Sequence, residues 1–163
     1  MKRISALLIL AVLILASGCS GNKKSTLSIP YESYKLDNGL TVILNEDKSD
    51  PITSLVILYH VGSGREVPGK TGFAHLFEHM MFQRSENVEE DQFFKYIEGA
   101  GGMLNGFTSF DQTVYFEVVP KNSIEMAMWL ESDRMGFLRN TVTPQSFALQ
   151  QNVVQNEKRQ GVD

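Results

Sequence analysis

The sequence predicts an α+β fold in which a mostly antiparallel sheet is packed by helices. Short segments rich in β-branched and aromatic residues are separated by tight turns, which is typical of antiparallel strands. Other, longer segments repeat apolar residues at helical spacing. The length of 163 residues, with 42% hydrophobic and 21% charged residues, fits an ordinary globular chain of at most one domain plus a leader.

Five segments are predicted to be strands, at 31–35, 41–45, 54–61, 103–107 and 113–119. The first two are predicted to form a hairpin because Asp37-Asn38-Gly39 lies between them, and this tripeptide is a turn signal. The third ends in a glycine-rich loop at 62–69. The last two are predicted to pair across a turn at 109–112, and Pro120 ends the second of them.

Four segments are predicted to be helices: one from about Gly72, one at 91–98, one at 124–137 and one that starts after Pro144. In the third helix, four residues recur at helical spacing and are predicted to lie in the core: Met126, Ala127, Trp129 and Leu130. His60 lies in a predicted strand without an acidic neighbour at ligand spacing, so we predict a structural or half-exposed residue and not a ligand.

The first predicted helix carries the pattern His75-x-x-Glu78-His79, with two of the three histidines in the chain. At about 100° per residue, His79 lies about 40° and Glu78 about 60° from His75, so all three project from one side. Two neutral imidazoles at i and i+4 can bind one Zn²⁺. The carboxylate of Glu78 would then lie beside the open position of the metal, where it could accept a proton from a zinc-bound water.

An alternative is that these polar residues form a solvated stripe on an amphipathic helix. The opposite side carries Phe73, Leu76, Phe77 and Met80, an apolar face that would pack on a core. However, histidine is rare in this chain, and the apolar flanks of the motif would make a poor exposed surface. The pattern therefore favours a metal site.

Catalytic zinc sites commonly use three protein ligands, and two histidines with a glutamate are a standard set. The best candidate for the third ligand is Glu157, which shares a helix face with Gln150, Val153 and Val154. A carboxylate on a partly apolar face is costly to bury unless it is paired or binds a metal. The residues alone leave open that Glu157 pairs with a basic residue at the surface.

The order His-x-x-Glu-His is the inverzincin signature, and the chain around it resembles the N-terminal domain of the M16 (pitrilysin/insulinase) metallopeptidases. Within that family it is similar to the bacterial relatives of the mitochondrial processing peptidase. The blocks that carry it, in order, are Asp37–Val42, Val61-Gly62-Ser63 with Glu66, Gly72–Met80, Gly101-Gly102 with Asn105, Thr108, Thr113 and Tyr115, Glu131–Met135, and Val153–Gln160.

This resemblance implies a zinc-dependent metalloendopeptidase in which His75, His79 and Glu157 bind Zn²⁺ and Glu78 is the general base. It also implies that the strand with Asn105, Gly106 and Thr108 binds the peptide substrate as an added strand. The alternative for these three residues is that they only build the hairpin.

The chain departs from the family pattern at two positions. Gln150 stands seven residues before Glu157, where the family often has an acid. It could hydrogen-bond a ligand or water near the metal, but it cannot serve as an acid or base. Asn105-Gly106 replaces the Asn-Ala of the family, a change that should still allow close approach of a peptide.

The first 18 residues resemble a lipoprotein signal peptide. Lys2 and Arg3 precede an apolar segment at 6–16, and Cys19 follows it. Lipidation of Cys19 would anchor the protein in a bacterial cell envelope, and Ser20 favours the outer membrane facing the periplasm. Simple secretory cleavage, giving a soluble periplasmic or secreted protein, is the alternative. We predict a linker at 19–28 and a peptidase domain at 29–163 that lacks its C-terminal end.

The net charge of −4 and the absence of a basic stripe argue against nucleic acid as a partner. The partners implied by the resemblance are peptides or unfolded proteins and a second M16-type half, in the same protein or in a partner chain. Two functions follow. The chain is the catalytic part of a zinc endopeptidase, or it is an inactive or partner-dependent peptide-binding subunit of a split peptidase.

Overall fold

A computed structural model describes residues 28–161 of the chain. These residues belong to two compact units, and the chain passes from the first to the second between Asp47 and Lys48. The predicted signal peptide, Cys19 and all but the last residue of the predicted linker lie outside the described residues. Within the described part, none of the helices has both the length and the apolar character needed to cross a membrane.

The first unit contains the predicted hairpin. Strands β1 (Glu32–Lys35) and β2 (Thr41–Leu44) pair antiparallel, with Lys35 opposite Thr41. The turn between them uses Gly39 at φ 90°, a left-handed conformation that glycine adopts without strain. The side chain of Asn38 accepts a hydrogen bond of 3.0 Å from the Leu40 amide, which is typical of asparagine in turns.

The second unit is built on an antiparallel sheet of three strands, β3 (Ile52–Tyr59), β4 (Met103–Thr108) and β5 (Thr113–Pro120). Their order is β3-β5-β4, so β5 is central and β4 forms an edge of this sheet. The register places Tyr115 of β5 between Ile57 of β3 and Gly106 of β4. The predicted pairing across the turn at 109–112 is confirmed.

Four helices accompany this sheet: α1 (Phe73–Met80), α2 (Gln92–Gly99), α3 (Ile124–Phe137) and α4 (Pro144–Gln160). Each lies within a few residues of its predicted position, so the α+β prediction is confirmed. Helix α4 begins with a capping box, in which Thr143 and Ser146 exchange hydrogen bonds, and with Pro144 in the first turn.

The core of the second unit contains Val88, Phe93, Ile97, Val119, Ala127 and Leu130, each at most 3% exposed. Met126 is partly buried against this cluster. The core prediction for Trp129 was wrong, because its side chain is 41% exposed and meets Tyr96 edge-on. The reason is helical geometry, since Trp129 lies about 200° around the helix from the buried Ala127.

A group of buried charges joins α3 to the sheet. Arg134 is bonded to Glu131 in the same helix and lies 3.3 Å from Glu117 of β5, with all three side chains at most 3% exposed. Its guanidinium also lies 4.2 Å from the ring centroid of Tyr115. Burial, together with the adjacent Glu131, raises the pKa of Glu117 to about 9, although Arg134 acts in the opposite direction. One cation therefore holds two buried carboxyl groups.

Candidate metal centre

Helices α1 and α4 bring together the three predicted ligand residues. His75 and His79 lie one turn apart on α1, with their Nε2 atoms 3.0 Å apart. Oε2 of Glu157, on α4, lies 3.4 Å from the first of these nitrogens and 3.3 Å from the second. Among the described residues this is the one group of three His, Cys, Asp or Glu side chains whose ligand atoms are close enough to share a metal ion. These three side chains are called the metal group below.

The spacing of these atoms fits a zinc ion. Tetrahedral zinc with bonds of about 2.0–2.1 Å to nitrogen separates neighbouring ligand atoms by roughly 3.3 Å. The three measured separations, 3.0, 3.3 and 3.4 Å, lie within a few tenths of an ångström of that value. The side chains are 21–31% exposed, so the site is open to solvent on one side.

Glu78 lies beside this group but is not part of it. The residue is only 8% exposed, and its Oε2 accepts a hydrogen bond of 2.6 Å from Oγ1 of Thr108 at the end of β4. The Thr108 hydroxyl lies 3.2 Å from that of Thr113, which donates to the carbonyl of Val61. The carboxylate of Glu78 is therefore held by the sheet while the histidines face α4.

Helix α1 carries His75 and His79 and is called the metal helix below. The apolar face predicted for it is only half buried. Leu76 and Met80 are 4% and 2% exposed, as expected for core residues. Phe73 and Phe77 are 37% and 54% exposed, so they do not reach the core. Their rings contact each other, and that of Phe73 also contacts Phe147 of α4. Phe73 therefore packs at the α1–α4 interface, which the sequence of α1 alone does not reveal.

A cavity of about 890 Å³ opens beside the three ligand atoms. It is lined by the metal helix, by α4 and by β4, and the lining includes Glu78, Asn105, Gly106 and Thr108. The structure thus places the three predicted substrate-binding residues in the wall of the cavity that holds the metal group. A Cβ atom at Gly106 would lie 3.1 Å from the ring of Phe82, so the glycine allows close packing there.

Two further predicted positions behave differently. Gln150 is 7% exposed on α4, two turns before Glu157, but it does not line the described cavity. His60 is exposed just after β3, and its Nε2 lies 3.0 Å from Asp111 and 2.8 Å from Arg65. The hydrogen bonds from His60 and Arg65 lower the pKa of Asp111. No sequence spacing signals this contact, because Asp111 lies 51 residues after His60.

Glu66 touches the start of the metal helix, a contact that no sequence pattern predicted. Its two carboxylate oxygens accept hydrogen bonds from the amides of Gly72, at 2.8 Å, and Ala74, at 2.7 Å. Glu66 appeared only as part of a family resemblance. The conformation of the loop between Glu66 and the helix determines this contact, and no local pattern predicts it.

Comparison with known proteins identifies the family of the chain. Residues 41–161 match the model of the family described as Insulinase (Peptidase family M16). The chain is 32% identical over 154 residues to a protein named zinc protease PqqE from Helicobacter pylori, an alignment that covers 94% of this chain and 34% of that protein. It is 29% identical over 99 residues to human insulin-degrading enzyme, covering 60% of this chain and 10% of the enzyme.

Solved structures show the same relationship. The crystal structure of a protease from Helicobacter pylori matches with a TM-score of 0.78 and 33% identity, over 82% of this chain and 32% of that one. Pitrilysin matches in fold, with a TM-score of 0.64 and 24% identity, over 72% of this chain and 13% of that one. The chain therefore spans about a third of the length of its Helicobacter pylori relatives.

Proposed function

Because the chain belongs to the insulinase family of peptidases, M16, we propose that it is the catalytic part of a zinc-dependent metalloendopeptidase. Its substrates would be peptides or unfolded proteins. The observation that carries this proposal is the convergence of His75 Nε2, His79 Nε2 and Glu157 Oε2 within 3.4 Å of one another, beside a cavity. The relatives named as zinc proteases support the choice of metal.

His75, His79 and Glu157 would hold the zinc. The chemistry that bound zinc supplies is Lewis acidity, which lowers the pKa of a water molecule and polarises a peptide carbonyl. Glu78 would accept the proton of the attacking water and later donate it to the leaving amine, the usual role of a general base. The hydrogen bond from Thr108 fixes one oxygen of this carboxylate and leaves the other for the water.

Edge strand β4 would bind the substrate. Among the described residues it is an edge strand, and such an edge can hydrogen-bond an extended peptide through its backbone, a mode of binding that demands little sequence specificity. Asn105, Gly106 and Thr108 lie on this strand and line the cavity beside Glu78. A peptide added there would run past the general base.

The assignment of ligands can be tested with the metal content of a His79→Ala variant. We expect this variant to lose stoichiometric zinc, because only two ligands would remain and catalytic zinc sites commonly use three. His60→Ala is the matched control, since His60 lies outside the metal group and should be dispensable. Zinc measured by elemental analysis at one ion per chain in both variants would refute the assignment.

We also propose that a second M16-type half completes the active site. The support is coverage, since the chain matches 34% of its Helicobacter pylori relative. An open site loses much of the positioning that brings peptide and water together. We expect the isolated chain to cleave an unfolded peptide barely or not at all, and addition of a complementary half to restore cleavage that a chelator abolishes. Full cleavage by the short chain alone would contradict this proposal.

The competing function is a peptide-binding subunit without catalysis. Such a subunit would bind peptide at β4 but would show no chelator-sensitive cleavage, even in the presence of its complementary half. Retention of all three ligand residues and of Glu78 in one site favours the enzyme, because peptide binding along a strand needs none of them.

A further inference from the structure

We propose that Glu66 is a positioning residue that sets the orientation of the metal helix, an inference that rests on the proposed zinc site. The N-cap residue of α1 is Gly72, at φ 89°, and it has no side chain with which to cap the helix. The first turn contains no acidic residue. Glu66 supplies the missing acceptor from outside, through both oxygens, at 2.8 Å to Gly72 and 2.7 Å to Ala74.

A carboxylate in this place is favourable for two reasons. The first amides of a helix have no partner within the helix, and they need acceptors. The positive end of the helix dipole also attracts an anion, and hydrogen bonds to a charged acceptor are stronger than neutral ones. Glu66 thus holds the residue directly before His75 by its backbone.

The loop that carries Glu66 is fixed to the sheet. The amides of Ser63 and Gly64 donate to the carbonyls of Ser109, at 3.0 Å, and Phe110, at 2.7 Å, in the turn between β4 and β5. A Cβ atom at Gly64 would lie 2.6 Å from the ring of Phe110, so the loop lies against this turn more closely than a side chain allows. The loop that carries Glu66 is therefore anchored to the turn between β4 and β5.

The same end of the β4–β5 pair also holds α1 at a second point, since the Thr108 hydroxyl donates a hydrogen bond to Glu78. Two attachments, near His75 and at Glu78, fix the rotation of α1 about its axis. A rotation of about 10° would move an atom about 6 Å from a helix axis by about 1 Å. Catalytic groups tolerate displacements of only about 0.5 Å. Without Glu66, the two histidines would be displaced relative to Glu157 on α4.

The test compares Glu66→Ala and Glu66→Gln with the control Glu89→Ala in the full chain. Glu89 is an exposed carboxylate paired with Arg84, and it neither lines the described cavity nor belongs to the metal group. In metal-free protein, hydrogen exchange of the first α1 amides should accelerate in Glu66→Ala and remain unchanged in the control. Unchanged exchange in Glu66→Ala would overturn the inference, whether or not the protein binds zinc.

The functional readouts are zinc affinity, measured by chelator competition, and the absorption spectrum of the cobalt-substituted protein. We expect Glu66→Ala to lose about 10-fold to 100-fold in affinity, the usual effect of removing a partner that orients ligands. The cobalt spectrum should change as the ligand geometry changes. With the complementary half present, kcat per bound metal should fall at least tenfold while KM stays within about threefold.

Glu66→Gln should fall between the wild type and Glu66→Ala, because its amide keeps one acceptor oxygen. This variant decides the question if Glu66→Ala does not fold. A folded Glu66→Gln protein with the exchange rates, zinc affinity and kcat of the wild type would overturn the inference. A wild-type protein with protected α1 amides but no zinc affinity would refute the proposed function alone, since the hydrogen bonds between Glu66 and the start of α1 would still be present.

Discussion

Replacement of Glu78 by glutamine is expected to abolish most peptide hydrolysis and to leave zinc bound. The amide keeps the size of the side chain and can still accept the hydrogen bond from Thr108 Oγ1. It cannot accept the proton of the attacking water, because an amide is far less basic than a carboxylate. Removal of a general base typically lowers the rate by about 10²–10⁴-fold. We expect kcat of the complete protein to fall by at least the lower limit.

The experiment needs zinc content and kcat from the same preparation. Glu157→Gln is the informative comparison, because loss of a ligand should remove zinc and activity together. Glu78→Gln should instead remove activity while the zinc content stays at one ion per chain. Near-normal turnover in Glu78→Gln would contradict the role of base, and loss of zinc would show that Glu78 is a ligand.

Replacement of Arg134 by methionine is expected to be among the most destabilising single changes in the chain. Methionine fills a similar volume but leaves Glu131 and Glu117 buried without their cation. Removing one partner from a buried ion pair costs about 3–5 kcal/mol. This is a large fraction of the roughly 5–15 kcal/mol by which domains are stable. The loss also includes the contacts of the guanidinium with the rings of Phe82, Phe93 and Tyr115.

The free energy of unfolding in urea measures this effect. Arg139→Met, at an exposed position after α3, is the matched control and should change stability by less than about 0.5 kcal/mol. Addition of Glu131→Gln to Arg134→Met should recover part of the loss, because the carboxylate that has lost its cation is then replaced by a neutral amide. A loss below about 1 kcal/mol in the single variant would show that the buried cation is not needed.

Much of the fold could be predicted because the signals are local. The turn at Gly39, the alternation along β3 and the proline at the start of α4 each depend on a few adjacent residues, and all three elements lie where predicted. Trp129 was misplaced because helical spacing defines a face only to within about one residue. The partial exposure of Phe73 and Phe77 depends on α4, which lies far along the chain.

The site was predictable to the extent that it lies on one helix. His75, Glu78 and His79 share a face by geometry alone, whereas the residues left the role of Glu157 open until the family resemblance was considered. The bonds of Thr108 to Glu78 and of Glu66 to the helix start join segments 30 and 6–8 residues apart. The geometry of these hydrogen bonds depends on the packing of the loop and the sheet, and residue spacing does not predict it.

The distribution of the proposed ligand atoms over α1 and α4 has an entropic consequence for metal affinity. The 77 residues between His79 and Glu157 form a closed loop once both helices are packed. Closing a flexible loop of this length costs on the order of 4 kcal/mol, or roughly 700-fold in an equilibrium constant. Folding closes this loop before a metal binds, because Phe73 packs on Phe147 and a capping box stabilises the start of α4. Coordination energy then appears in full as affinity for the ion, and this gain is the same for every divalent cation because the closure cost does not depend on which ion binds.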